Sequence, residues 1–190
     1  PNFAAAHGMS ALCYVSRWLK HWMRDTQKEV SEAAHFVNRA AELGRDDATA
    51  LSVAGMAAGI VVRDLDRAVV LLDRSLLLNP NLAVSWVRSA WVRLFLGEFD
   101  LAIDHASHGM RLSPLDPMQY AMLATRAYTH IAAGEDLEAV HWAERGARAP
   151  GAHVLIALIA GAANTLAGNP GRANYWAANV RERNAALTRD

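Results

Sequence analysis

The chain has 190 residues, 53% hydrophobic and 20% charged, enough apolar matter to bury a core and too much for a disordered chain. Lysine plus arginine equals aspartate plus glutamate at 19 each, so no basic excess offers itself to nucleic acid. A single cysteine, Cys13, excludes an intrachain disulfide framework and fits a reducing, cytoplasmic setting.

Taken in chain order, the apolar periodicity and its Gly, Pro and Asn breaks predict ten helices in five pairs. The first helices of the pairs, here called A, run about 4–22, 48–62, 82–96, 117–133 and 152–167. The second helices, B, run about 26–43, 66–78, 99–112, 136–148 and 170–187. Asp100 and Asp136 fall in first turns, where the helix dipole favours an anion. Asn79-Pro80 and Ser113-Pro114 close helices, because the residue before a proline is pushed out of the α region. The most apolar windows, "ALSVAGMAAGIVV" and "HVLIALIAGAANTLAG", fall short of the roughly 18 to 20 apolar residues of a spanning helix, so no membrane insertion is expected. The chain opens at Pro1 without a basic leader, which reads as a piece of a longer protein whose other domains, or membrane anchor, lie elsewhere.

The pairs repeat one another. Gly-x-x-x-x-Ala occurs at Gly97/Ala102, Gly134/Ala139 and Gly168/Ala173, and Arg63 takes the Gly place before Ala68. Ala68 to Ala102 is 34 residues, Ala102 to Ala139 is 37, Ala139 to Ala173 is 34, and Ala33 lies 35 before Ala68. Pro80, Pro114 and Pro150 follow at 34 and 36. A period of about 34 with helix-turn-helix content is the tetratricopeptide (TPR) spacing. The third unit resembles that motif in Trp86, Ala90, Gly97, Phe99, Ala102 and Pro114. Elsewhere the match thins: the Trp place holds His7, Leu51, Leu123 and Ala157, and the Tyr place holds Arg93 and His130, with Tyr14 retained in the first unit.

The resemblance implies an all-α, TPR-like right-handed superhelix of about five helix-turn-helix pairs, forming one domain with units at about 4–45, 48–80, 83–114, 117–150 and 152–187. The anchors Ala68, Ala102, Ala139 and Ala173 should be buried at close helix crossings. Stacked copies bury apolar faces that one hairpin cannot bury alone.

In such stacks the A helices line a concave groove. Its expected lining here is Met56 and Ile60, then Trp91, Leu94 and Phe95, then Tyr128 and Ile131, then Leu155 and Leu158. An apolar lining of this kind fits a helix or extended peptide, from a partner protein or from other domains of the parent chain. The same residues also read as plain inter-helix core. A clamp for acidic chaperone tails is excluded, because Val87 and Trp91 stand where lysine, asparagine or arginine would be needed. In the longer first unit Trp18 and Trp22, four apart, share a helix face, as a cover for the stack end or as a terminal anchor for a partner.

Chemistry finds little support. His105 and His108 lie three apart on what reads as a solvated face, and His130 and His141 have no nucleophile in a recognisable motif. Cys13 has no second Cys at redox spacing and reads as small buried packing. Arg63, Arg67, Arg88 and Arg93 are spread among acids and read as solvated. No phosphate loop, dinucleotide fingerprint or nucleophile elbow occurs, so no enzyme activity, cofactor or metal is expected.

Over about residues 1–150, phrases such as "LLLNPNLAVSWVRSAWVRLFLGEFDLAIDHASHGMRLSPLDP" resemble the C-terminal TPR region of bacterial class III adenylate/guanylate cyclase-like proteins. That resemblance implies a non-catalytic interaction or regulatory module of a larger signalling protein. A TPR tail on a winged-helix transcription regulator and a self-associating homodimer scaffold stay open beside it.

Overall fold

A computed structural model describes residues 3–183, and all regular structure among them is helical. The chain divides into two compact units between Leu96 and Gly97. The first holds α1 (Ala4–Leu19), α2 (Thr26–Leu43), α3 (Ala48–Ala57) running into a π-helical turn (Ala58–Val62), α4 (Leu65–Leu78) and α5 (Ala83–Phe95). The second holds α6 (Phe99–Leu112), α7 (Gln119–Ala133), α8 (Asp136–Arg148), α9 (Val154–Leu166) and α10 (Pro170–Arg183). Residues 184–187 of the last expected helix lie outside the described residues.

Aspartates start three helices of the first unit. Asp25 Oδ1 accepts from Lys28 N at 3.0 Å, Asp64 Oδ1 from Arg67 N at 3.0 Å, and Asp47 Oδ1 from both Thr49 N and Ala50 N at 3.0 Å. Each carboxylate satisfies amides that the first helical turn leaves without partners. In the second unit Asp100 and Asp136 do stand in first turns. The A helices end where the repeat places them: Gly97, Gly134 and Gly168 have φ of 78°, 75° and 69°. Arg63 adopts φ 62° in the same place, so the left-handed stop is kept without a glycine.

Within the first unit α3 packs on α1, α2, α4 and α5, and α1 packs on α2. Within the second, α7 packs on α6, α8 and α9, and α9 packs on α8 and α10. The A helices α3 and α7 each touch their own B helix, the preceding B helix and the next A helix. Small residues permit the close crossings. Ala33, Ala68, Ala102 and Ala139 are fully buried. Ala173 departs from expectation and is only half-buried, since among the described residues no further helix follows α10 to cover it. Gly55 is packed so tightly that a Cβ there would lie 2.7 Å from Leu72 Cγ.

The π turn has a sequence cause. From the Trp place to the left-handed stop is 11 residues for Trp86–Gly97, Leu123–Gly134 and Ala157–Gly168, but 12 for Leu51–Arg63. The extra residue is absorbed as one wider turn, and Ala58 O receives the Arg63 and Asp64 amides.

The first helix is shorter than expected. It ends at Leu19, and His21 turns the chain with φ 53°, so Trp22 does not share a helix face with Trp18. The physical reason is Glu29, which acts back across the turn. Its carboxylate accepts from Arg17 Nε at 2.6 Å, Arg17 NH2 at 2.9 Å and Arg24 N at 2.9 Å, while Arg17 NH2 also reaches Trp22 O at 3.2 Å. The Arg17 guanidinium, then the Arg24 amide, hold the Glu29 carboxyl down at about 2.

Candidate functional site

The π turn and the short α1 leave a pocket of about 330 Å³ at one edge of the first unit. Trp18 and Leu19, from the last turn of α1, form one wall. Gly59 and Ile60 of the π turn form the floor with Leu65, and Phe95 from the end of α5 closes the side. Arg63 sits at the rim with its guanidinium carbon 5.3 Å from the centre of the Trp18 ring, a cation–π distance. Trp18 and Arg63 also line an adjoining hollow with His21, Met23 and Thr26. Leu19 and Phe95 of the lining are exposed, and in the turn after α1 Lys20 lies over the Trp22 ring at 4.5 Å. Trp18 is half-buried and packs against the core, whereas Trp22 is 61% exposed.

The expected groove residues fall as follows. In the first unit Met56 and Ile60 are half-buried against the core, Trp91 is half-buried, Leu94 is buried and Phe95 is exposed. Trp91 and Phe95 have ring centres 6.0 Å apart. In the second unit Ile131 packs against the core, while Tyr128 on α7 and Leu155 and Leu158 on the adjoining α9 are exposed.

Several polar expectations need correction. His105 is buried, so it does not share a solvated face with His108. Cys13 is exposed. Arg88 is not a solvated cation: it lies half-buried beside α3, donates to Ser52 Oγ at 2.9 Å, and burial lowers its pKa to about 10. It remains charged at neutral pH.

The periodicity gave no sign of the polar knot in the second unit. Glu144 on α8 has a side chain only 13% exposed. Its Oε1 accepts from Asn164 Nδ2 at 3.1 Å, Arg172 Nε at 2.9 Å and Trp176 Nε1 at 3.0 Å, and Oε2 accepts from Arg148 at 2.6 Å. Burial pushes the Glu144 pKa up, but the donors from Trp176, Arg172 and Asn164 together outweigh it and hold it below the usual range. On the same unit Trp142 lies under two guanidiniums, Arg126 at 3.6 Å and Arg145 at 4.6 Å. Among the described residues no group of three or more His, Cys, Asp or Glu is placed to hold a metal, and no helix is long and apolar enough to cross a membrane.

Comparison with solved structures places this architecture. A putative kinesin light chain of Podosopora anserina with nearly identical TPR-like repeats superposes with a TM-score of 0.70 at 15% identity, over 97% of this chain and 96% of that one. The fold is a TPR-like helical repeat. MamA (residues 41 to the end) from Desulfovibrio magneticus RS-1 matches at a TM-score of 0.66 and 17% identity, over 93% and 94% of the two chains. PilW, a type IV pilus biogenesis factor, matches at 0.70 and 14%, over 92% of this chain and 77% of its own. No family model and no curated protein matches the sequence.

Proposed function

We propose that this chain is a non-catalytic interaction module that receives an apolar helix or extended peptide on its A helices. The observation that carries the reading is the exposure of Tyr128, Leu155 and Leu158 on two adjoining A helices, α7 and α9, of a TPR-like fold. Large apolar side chains held on rigid helices lose little freedom on binding, which is what an interface anchor requires. Phe95 and Trp91 offer similar material in the first unit. Resemblance to the C-terminal region of cyclase-like proteins supports a place in a larger bacterial signalling protein working in the cytoplasm. A winged-helix parent would serve the same module equally well. Val70 and Leu77, exposed seven residues apart on α4, favour self-association as a second reading.

The test compares parent chain with a Tyr128→Ala/Leu158→Asp double variant, after circular dichroism shows that both fold. Loss of one aromatic anchor costs about 2 kcal/mol, or about 30-fold in affinity, so recovery of a partner from source-organism extract should fall steeply. Binding should depend only weakly on salt, because the surface carries little charge. Equal recovery of the same partner by both proteins would sink the reading. Light scattering of the purified chain decides the homodimer, and the full-length reading frame tests the cyclase-like parent.

A further inference from the structure

The pocket over the π turn is built by the first unit alone, and its chemistry is more particular than a general apolar surface. Its walls are apolar: Trp18, Leu19, Ile60, Leu65 and Phe95. A dry cavity of about 150 Å³ already holds a benzene, so about 330 Å³ has room for one aromatic side chain with its backbone link. Arg63 is the only lining residue of this pocket with a formal charge. It is exposed, pinned by its left-handed backbone at the end of the π turn, and makes no ion pair among the described residues.

Charges of both signs surround the rim. Lys20, His21 and Arg24 follow Trp18 within six residues. The nearby carboxylates are committed elsewhere: Asp25 and Asp64 cap helices, and Glu29 binds Arg17. Asp66 faces solvent in the first turn of α4, where the helix dipole holds it.

We propose that this pocket is a recognition site for an acidic, aromatic-bearing segment of a partner protein, with the ring against Trp18 and Phe95 and a neighbouring carboxylate on Arg63. A guanidinium matches a carboxylate with two parallel hydrogen bonds, which a neutral rim would not offer. Gly59 lets the π turn lie close on the core beneath the pocket: a Cβ there would press to 3.0 Å from the buried Val92 Cγ2. This assignment does not use Tyr128, Leu155 or Leu158, which carry the reading above, so the variants at those residues test the two readings separately.

The experiment is titration of the ¹⁵N-labelled full chain with three capped tripeptides and one free acid. The first peptide is aspartate-phenylalanine-glutamate, the second carries lysines in place of both acids, the third carries alanine in place of phenylalanine, and the free acid is 3-phenylpropanoate. The acidic phenylalanine peptide should shift the Trp18 indole and the Ile60 and Arg63 amides saturably at or below about 1 mM, and the lysine and alanine peptides should bind at least about tenfold more weakly. Arg63→Asn removes the charge with a side chain that tolerates the left-handed backbone. It should abolish the preference for acid over lysine while leaving helicity unchanged, and Phe95→Ala should weaken the acidic peptide without altering that preference. Tyr128→Ala/Leu158→Asp should change none of these titrations. Equal binding of the acidic and lysine peptides, equal binding of 3-phenylpropanoate and the acidic peptide (a small-molecule site), or no shift at about 1 mM would each overturn the proposal.

Discussion

Replacing Glu144 with alanine should release α10 from the rest of the second unit. The magnitude follows from what each partner loses. Trp176 is 2% exposed, and its indole N–H would be buried without an acceptor, which costs about 1 to 3 kcal/mol. Asn164 still donates to Ala160 O at 2.9 Å, so it loses only its second acceptor. Arg172 and Arg148 are 42% and 57% exposed, and water screens them, so each contributes at most about 1 kcal/mol. The sum is about 3 kcal/mol. Repeat stacks need not melt in one step, so the assay should read the unit itself: Trp176 fluorescence and amide exchange in α10 during urea unfolding. Glu144→Gln keeps one oxygen for Trp176 and should lose about 1 kcal/mol. The pKa of Glu144 is depressed in the folded state, so its contribution is complete above the unfolded carboxylate pKa and is lost as pH falls through the folded value. Glu144→Ala should flatten that acid limb. The reasoning fails if Glu144→Ala unfolds within about 0.5 kcal/mol of parent, or if Trp176→Phe costs the same in both backgrounds, since contacting residues must couple.

Three further outcomes are expected. Gly55→Ala should lose about 1 kcal/mol in chemical denaturation, because forcing a Cβ to 2.7 Å from the buried Leu72 Cγ costs more than the roughly 1 kcal/mol of helix propensity gained; a more stable variant would mean that Leu72 yields freely. Ala139→Leu should cost about 1 to 3 kcal/mol by overpacking α8 where Ala139 is fully buried, and a melting temperature equal to the parent's would remove Ala139 from the crossing. Glu29, held at about 2 by Arg17 and the Arg24 amide, contributes stability that is complete above about 4.5 and fades as pH falls towards about 2; Glu29→Gln should remove that part of the acid decline in the first unit, seen by circular dichroism between those pH values.

The repeat made the fold legible because packing imposes it at every turn. A close helix crossing needs a small residue, so Ala33, Ala68, Ala102 and Ala139 recur, and a left-handed stop needs glycine or a tolerated substitute, so Gly97, Gly134, Gly168 and Arg63 recur. Those positions are readable because the constraint lies in the residue itself. The polar contacts obey no such rule. Glu144 meets Arg172 across 28 residues and Trp176 across 32, and no local pattern marks which glutamate is half-enclosed by two neighbouring helices. Arg88 looked solvated for the same reason, since its burial comes from α3 packing on α5 and not from its own segment.

The Trp18 pocket shows how a small irregularity becomes surface. Four apart in sequence, Trp18 and Trp22 look like one helical stripe, but Glu29 on the next helix draws Arg17 and the Arg24 amide together and ends α1 at Leu19. The turn that results moves Trp22 outward and leaves the last turn of α1 unextended beside the π turn. The π turn itself comes from one surplus residue between Leu51 and Arg63, readable in the sequence only by counting against the other units. An A helix of the common length could close at that point with a glycine, as the others do, and would then carry no side chain at the stop. Here the stop is an arginine, so the irregular unit sets a cation on the rim of an apolar hollow, where an aromatic ring and a carboxylate would both find their complement.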